Sequence, residues 1–396
     1  MCRSALSEIE VDTAIVLAGG KGSRLFPITK TRPKPLVPVG GYPMLEWNIF
    51  VLDKARIKNV IIAVKYLGDQ IISYVDRVIR PKFPHMNFHV PKDLEPKDTA
   101  DALRHLKYLI PDTCKRFFIT MADIVTNIDL TEMARFHKEK KGFVTISLKN
   151  IDGPRSFGVI VLDDNSQILL FLEKPSPQEL YMTTLMFRRR KSISYHANLV
   201  NTGIYLFERE ILTLLTDFQD LMDFGKQVFP FLLERRQKIF GYFPSSGRQD
   251  YYWMDCGTAE KLLWCNWDVL RRWAWPYLPK GSERDGSWFG KDVRIGKNVK
   301  IASQVVIGDD VELNDNVEIR SLASIGNGCR IGNNSVVEGA VIDVGAQIGE
   351  NATLIRCYVG ANSIIGKGST IGENSVIGEK SILKSETHLP AGSVIE

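Results

Sequence analysis

The sequence predicts an α/β domain with a mixed, mostly parallel sheet, followed by a parallel β-helix built of six-residue repeats. Three observations carry this reading. Short apolar runs alternate with helical stretches up to about residue 275. A stretch rich in Pro, Gly and Ser then interrupts the chain at 276–288. From residue 289 onward, aliphatic residues recur every six positions, as in a β-helix whose coils each have three flat faces.

The chain therefore divides into a first domain at 1–275, a linker at 276–288 and a second domain at 289–396. In the first domain, VIIAV (60–64), FFIT (117–120) and FVTISL (143–148) read as strands. Ligands of such sheets sit beyond the carboxyl ends of the strands. A turn containing Gly19, Gly20 and Gly22 falls at that place, directly after the apolar run AIV.

In the second domain the aliphatic series runs Ile295, Ile301, Ile307, Leu313, Ile319, Ile325, Ile331, Val337. After a five-residue step it resumes at Ile342, Ile348 and Leu354, and after another at Val359, Ile365, Ile371 and Ile377. Glycine often follows, as in RIGKNV, VIGDDV and QIGENA. A helix needs a period of 3.6 and an ordinary strand a period of 2, so neither fits. At about 18 residues a coil, the domain holds roughly six coils. The final LKSETHLPAGSVIE reads as an irregular segment that covers the last coil edge.

Composition narrows the function. Hydrophobic residues make up 44% and charged residues 24% of the 396, ordinary for a globular protein. A net charge of +5 argues against nucleic acid as the partner. There is no run of 18 apolar residues for a transmembrane helix, and MCRSALSEIEVD lacks the apolar core of a secretory signal. The six cysteines show neither CxxC nor zinc-ligand spacing, so they read as thiols of a reducing cytoplasm.

The glycine turn is neither of two familiar phosphate loops. A P-loop requires Gly-Lys-Ser/Thr after Gly and four residues, but five positions on from Gly19 and Gly20 stand Arg24 and Leu25. The dinucleotide fingerprint begins at Gly20 and Gly22 and then meets Leu25 instead of a third glycine. What remains is Gly-Gly-x-Gly-x-Arg, with Lys30, Arg32 and Lys34 following. No carboxylate occurs between Asp12 and Glu46, while five cations lie between Lys21 and Lys34. Such a loop suits a polyanion.

The stretch LAGGKGSRLFPITKTRPKPL, Leu17 to Leu36, resembles the signature of sugar-1-phosphate nucleotidylyltransferases, also called NDP-sugar pyrophosphorylases. The resemblance implies a Rossmann-like nucleotidyltransferase domain followed by a left-handed parallel β-helix of hexapeptide repeats, as in mannose-1-phosphate guanylyltransferases and ADP-glucose pyrophosphorylases. It also implies Mg²⁺-dependent transfer of a nucleotidyl group from an NTP to a sugar 1-phosphate. By resemblance, Leu17, Ala18, Gly19, Gly20, Gly22 and Ser23 bind nucleotide. Arg24 and Lys34 act catalytically, on the triphosphate with its leaving pyrophosphate and on the phosphates of the reacting pair.

The chemistry agrees with what the sequence lacks. A phosphate monoester has a second pKa of about 6, so the attacking oxygen is already ionised at neutral pH. No serine nucleophile or histidine base is needed, and the six scattered histidines supply none. Cations, backbone N–H groups and carboxylates for Mg²⁺ are needed instead. RFFITMADIVTN offers Asp123 after an apolar strand, with Ala122 where the family usually has glycine. Trp253-Met254-Asp255-Cys256-Gly257-Thr258 resembles the family's second metal segment, making Asp123 and Asp255 the metal pair. Read alone, Asp255 is equally a helix cap, since a helix begins near Thr258.

The resemblance implies sugar-phosphate contacts at Gly158 in RSFGVIVLDD, at Glu173 and Lys174 in ILLFLEKPSP, and at Asn201, Thr202 and Gly203 in NLVNTGIYLFERE. Thr99, Ala100 and Asp101 stand where relatives carry a nucleotide contact, and Asp98 replaces a glycine there. The segment DFGKQVFPFLLERRQKIFGY resembles one present in both types of relative. The basic insertion Arg188–Lys191 reads as a solvated charge run, or as an anion site or subunit contact.

The Glu-Lys-Pro-Ser and Leu-Val-Asn-Thr-Gly contexts and the strict hexads resemble the guanylyltransferase type, which implies GTP and mannose 1-phosphate. The alternatives are glucose-1-phosphate adenylyl-, uridylyl- or thymidylyltransferase, or a non-catalytic regulatory subunit, which would be expected to lose Arg24, Lys34 or the metal acids. The β-helix resembles that of hexapeptide acyltransferases. It carries only His388 and no long inserted loop, so it reads as a packing module through which the protein forms a homo-oligomer.

Overall fold

The structure is a computed structural model and describes residues 11–92, 94–187, 198–243 and 250–396. The chain forms two compact units. One comprises the described residues up to Gly19 with Val51–Ala122 and Ile128–Trp253; the other comprises Gly20–Phe50, Asp123–Asn127 and Met254–Glu396. The signature loop and the two expected metal acids thus belong to the unit that contains the β-helix.

The first unit is built on a nine-stranded mixed sheet among the described residues. Thr13–Ala18 lies inside it, pairing in parallel with Asn59–Val64 on one side and Arg116–Met121 on the other. Its residues Ala14, Ile15 and Val16 are fully buried, the continuous apolar run expected of a strand covered on both faces. Leu199–Glu208 runs antiparallel to Arg116–Met121 and to Val144–Asn150. Helix Leu130–Lys140 starts where the Asp129 side chain accepts from the Thr131 and Glu132 N–H groups at 2.9 and 3.1 Å, an N-cap that satisfies two orphan donors. Tyr205, Phe207, Phe224 and Phe229 pack ring to ring in the core.

In the second unit, three parallel sheets wind into a left-handed β-helix, each strand pairing with the third one on. From Ile307 to Ile377 every residue of the six-residue series is at most 3% exposed, so the period is the period of the core. Ile307 faces Ile325, a full coil on, whereas Ile325 faces Ile342 across a five-residue step, one residue short. The shortening leaves the stacking intact: the Asn298, Asn316, Asn334 and Asn351 side chains form a hydrogen-bonded ladder at 3.1–3.2 Å. All four occupy the left-handed region, which asparagine tolerates well. A Cβ on Gly366 would stand 2.3 Å from the Ser385 backbone nitrogen, which explains why glycine follows the aliphatic residue.

Two expectations change. The stretch read as a linker contains the strand Ser282–Arg284, which pairs antiparallel with Ser287–Phe289, and the latter pairs into the β-helix at Val306 and Ile307. LKSETHLPAGSVIE is a regular coil: His388–Leu389 pairs with Thr370–Ile371, and Val394–Ile395 with Val376–Ile377. Leu389 and Ile395 continue the six-residue series, so the chain keeps coiling.

Candidate functional site

Strand Thr13–Ala18 ends where the signature begins. Leu17 and Ala18 are buried strand residues paired with Ala63 and Val64, and Gly19 follows. In the second unit, Gly20 has open space where a Cβ would be, while Gly22 has φ +64° and a Cβ there would lie 3.2 Å from the Lys34 Cβ. Gly22 supplies the left-handed turn that starts the 3-10 segment Ser23–Leu25, where Ser23 and Arg24 are exposed. The Thr29 hydroxyl donates to the Gly22 carbonyl at 2.8 Å, closing the loop on itself.

Lys34 begins a second 3-10 turn, Lys34–Leu36, after extended Pro33. Its side chain is 7% exposed, and its ammonium lies 2.5 Å from Asp123 and 3.3 Å from Asp255. Burial opposes charge on this lysine, but the two carboxylates outweigh it and hold the ammonium above the ordinary lysine range. The Cys256 N–H donates to the Asp123 carbonyl at 3.3 Å, tying the two acid-bearing segments together. The Asn48 side chain donates to the Ile124 carbonyl at 3.0 Å. At Gly257 a Cβ would come 3.0 Å from the Arg24 guanidinium and 3.2 Å from the Asp255 carboxylate, so glycine here lets both lie against the backbone.

The alternatives at the two acids resolve on geometry. Thr258, not Asp255, caps helix Ala259–Leu270, accepting from the Lys261 N–H at 3.3 Å. Ala122 is 1% exposed and outside the left-handed region, so the conformation here does not require the family's glycine. Among the described residues, no group of three or more His, Cys, Asp or Glu forms a ready metal cage. Asp123 and Asp255 are nevertheless the donor set that Mg²⁺ takes from protein when phosphates and water complete its shell. The two carboxylates already converge on one cation, that of Lys34, an arrangement compatible with such an ion.

Two other cations of the loop have different partners. Arg32 pairs with Asp343, and Lys30 with Glu396, both on the β-helix; Thr31 bonds Glu379. The local sequence reads these as part of a phosphate-gathering loop, because their partners lie more than three hundred residues away and leave no local mark.

The expected sugar contacts lie in the first unit. Glu173 is held in a close-fitting place: a Cβ on Gly158 would stand 3.0 Å from its carboxylate, and one on Gly225 2.7 Å. Lys174 is 3.5 Å from the same group. Burial raises the Glu173 carboxyl above its usual range; Lys174 opposes that rise and Asp223 adds to it. The Asn201 amide donates to the Tyr205 hydroxyl, and its carbonyl accepts from the Gly203 N–H, both at 2.9 Å. Gly203 has φ +79°. Thr202 is buried, donating to the Ser147 carbonyl at 3.0 Å, and its own carbonyl accepts from the Trp253 indole at 3.0 Å.

Thr99, Ala100 and Asp101 open helix Thr99–Leu106, and Asp98 caps it, accepting from the Thr99 N–H at 2.9 Å. That gives Asp98 a structural reason the glycine comparison lacked. The Ala100 and Asp101 N–H groups donate to the Met222 carbonyl. Asp101 is buried, accepts from the Lys97 N–H at 2.8 Å and pairs with Arg104. The Thr99 hydroxyl donates to Asp223 at 3.2 Å. Asp223, which the sequence leaves without a role, thus joins Thr99 to the surroundings of Glu173; its only signal is its place at the head of DFGKQVFPFLLERR. Arg188–Lys191 lie outside the described residues. Among those described, no helix is long and apolar enough to cross a membrane.

Two family models match successive stretches of the chain. The model of the nucleotidyl transferase family matches residues 13–272, and that of the EIF2B subunit epsilon LbH domain matches 284–395. A mannose-1-phosphate guanyltransferase of Debaryomyces hansenii is 29% identical over 251 residues, covering 63% of this chain and 62% of the relative. A UTP–glucose-1-phosphate uridylyltransferase of Synechocystis is 29% identical over 266 residues, covering 65% and 62%. Glucose-1-phosphate adenylyltransferase 2 of Vibrio cholerae is 28% identical over 281 residues, covering 65% and 66%. The chain thus spans somewhat under two thirds of the length of these relatives.

Proposed function

The chain belongs to the nucleotidyl transferase family, and from that premise we propose that it transfers a nucleotidyl group from a nucleoside triphosphate to a sugar 1-phosphate, releasing pyrophosphate. The observation that carries this reading is the buried Lys34 ammonium held by Asp123 and Asp255 next to a glycine loop that ends in exposed Arg24.

The sugar phosphate brings its own nucleophile, so the protein supplies position and charge. Gly20 and Gly22 let backbone N–H groups approach the triphosphate. Arg24 stabilises the charge that builds on the departing pyrophosphate, and Lys34 that on the reacting phosphates. Asp123 and Asp255 would hold Mg²⁺, whose chemistry is to neutralise phosphate charge during transfer. Glu173 accepts from a sugar hydroxyl, Lys174 meets the sugar phosphate, and Gly158 and Asn201–Gly203 shape the sugar contact. Leu17–Gly19, Ser23 and Thr99–Asp101 are the residues we assign to the nucleotide.

GTP with mannose 1-phosphate is the substrate pair we favour, on the Glu-Lys-Pro-Ser and Leu-Val-Asn-Thr-Gly contexts and the guanyltransferase relatives. We place the protein in the cytoplasm as a homo-oligomer joined through its β-helix. The test is pyrophosphate release with Mg²⁺ across a grid of nucleoside triphosphates and sugar 1-phosphates. One active pair is expected. Silence across the grid from folded protein would favour a second reading, a non-catalytic subunit, for which the likeness of residues 284–395 to the EIF2B epsilon domain speaks.

A further inference from the structure

One face of the β-helix breaks its own rule inside the stack of coils. The core residues Phe289, Ile307, Ile325, Val359 and Ile377 of this face are followed by Gly290, Gly308, Gly326, Gly360 and Gly378, but Ile342 is followed by Asp343, and Ile395 in the last strand by Glu396. At the glycine positions a Cβ would meet the backbone of the next coil, at 2.5 Å for Gly360. Asp343 therefore stands where the coil geometry itself asks for no side chain.

Its carboxylate is fully used. It accepts from the Tyr358 hydroxyl at 2.7 Å and from the Val344 N–H at 2.7 Å, and it pairs with Arg32 of the signature loop. The Asp343 side chain is 6% exposed, that of Arg32 19%, and Tyr358 is 1% exposed. Exposed ion pairs fix little, but a buried pair with additional hydrogen bonds holds its groups to one geometry. Only Pro33 separates Arg32 from Lys34. Its φ of −67° and the turn bond from the Val37 N–H to the Lys34 carbonyl at 3.0 Å leave the intervening backbone little freedom. The strip is docked further by Thr31 on Glu379 and Lys30 on Glu396.

We propose that Asp343, from the β-helix, is a positioning residue for the transfer reaction: by anchoring Arg32 it sets where the Lys34 ammonium stands between Asp123 and Asp255. This rests on the reading of Lys34 as a phosphate-binding catalytic residue. It assigns the β-helix a part in turnover, not in packing alone.

The experiment uses the full chain with Asp343→Gly, which restores the residue that five other coils of this face carry, and Tyr358→Phe, which keeps the ring and removes one donor to Asp343. Steady-state pyrophosphate release, thermal unfolding and acetylation of individual lysines, read by mass spectrometry, are measured for each. Asp343→Gly is expected to lower kcat about 10- to 100-fold while the protein stays folded, and to raise Lys34 acetylation several-fold with exposed Lys300 unchanged. Tyr358→Phe is expected to show the same pattern more weakly. Folded Asp343→Gly with unchanged kcat and unchanged Lys34 acetylation overturns the proposal, as does a loss of melting temperature with no effect on either. Increased Lys34 acetylation in a protein whose wild type turns over no substrate pair keeps the anchor and overturns the catalytic reading instead.

Discussion

Asp123 and Asp255 meet on one ammonium, that of Lys34, at 2.5 and 3.3 Å. One acid follows the strand Arg116–Met121; the other ends the strand Trp253–Asp255. Two carboxylates brought this close repel each other unless a cation lies between them, so in this structure the lysine keeps the pair assembled. In the proposed reaction the same two carboxylates would serve a divalent ion, and the convergence lets the roles of the three residues be separated experimentally.

Replacing Asp123 by Asn removes one charged oxygen donor while leaving Lys34 its contact with Asp255. The fold is therefore expected to survive and Mg²⁺-dependent turnover to fall by a hundredfold or more, about the loss seen when a single charge-stabilising group is removed. Circular dichroism and pyrophosphate release at saturating Mg²⁺ check both halves. Wild-type turnover in the folded variant would remove Asp123 from the site.

The two loop glycines make a matched pair. Gly22 holds φ +64° and would set a Cβ 3.2 Å from that of Lys34, so Gly22→Ala is expected to cost about 1–2 kcal/mol of stability and to lower turnover by displacing Lys34. Gly20 has nothing within 4 Å of a Cβ, so Gly20→Ala is expected to change stability by less than about 0.5 kcal/mol. If its backbone approaches the triphosphate, the added methyl keeps the phosphate off and raises the KM for the nucleotide about tenfold, as losing one charge-assisted hydrogen bond does. An unchanged KM in Gly20→Ala would place the phosphates elsewhere.

The β-helix was legible because each coil repeats the same demand: a buried aliphatic residue every six positions, and often a glycine where the next coil passes. Even the five-residue steps were visible, since they merely shift the pairing from Ile307–Ile325 to Ile325–Ile342. The final coil reads as irregular in the sequence because Leu389 and Ile395, though spaced correctly, sit among polar residues and Pro390. Arg32, Asp98 and Asp223 escaped for another reason. Each draws its role from a partner far along the chain, or from a helix boundary, and an isolated charge in a sequence does not say which carboxylate or N–H group it will meet.

Glu173 gives a prediction with a sign. Burial lifts its carboxyl above the usual glutamate range, with Lys174 opposing and Asp223 reinforcing. A raised acid pKa means that the folded state holds its proton more tightly, so the contribution to stability is complete below the unfolded value, about 4.3, and is lost as pH rises through the folded one. Glu173→Gln removes that loss. The variant is expected to melt higher than wild type at neutral pH, with the difference closing as pH falls towards 4, while the KM for sugar 1-phosphate rises. Melting curves across pH test the first part, and a difference that widens on acidification would contradict the burial argument.

Asp101 gives the opposite sign. It is buried; although burial disfavours its charge, the Lys97 N–H and Arg104 hold its carboxyl below the usual aspartate range. A depressed pKa means stability present above the unfolded value, about 3.9, and lost as pH falls through the folded one. Asp101→Asn strips the charge from a buried pair and leaves the Arg104 guanidinium, which also donates to the Leu215 and Leu221 carbonyls at 2.8 Å, short of its counter-ion. The expected cost is about 3 kcal/mol at neutral pH, shrinking as pH falls below 4. Denaturant unfolding of wild type and variant at two pH values measures it. If the variant unfolds like wild type at neutral pH but shows a raised KM for the nucleotide, the carboxylate serves the ligand and not the helix. A large loss of stability with a nearly unchanged KM would give Asp101 the structural role that its contacts describe.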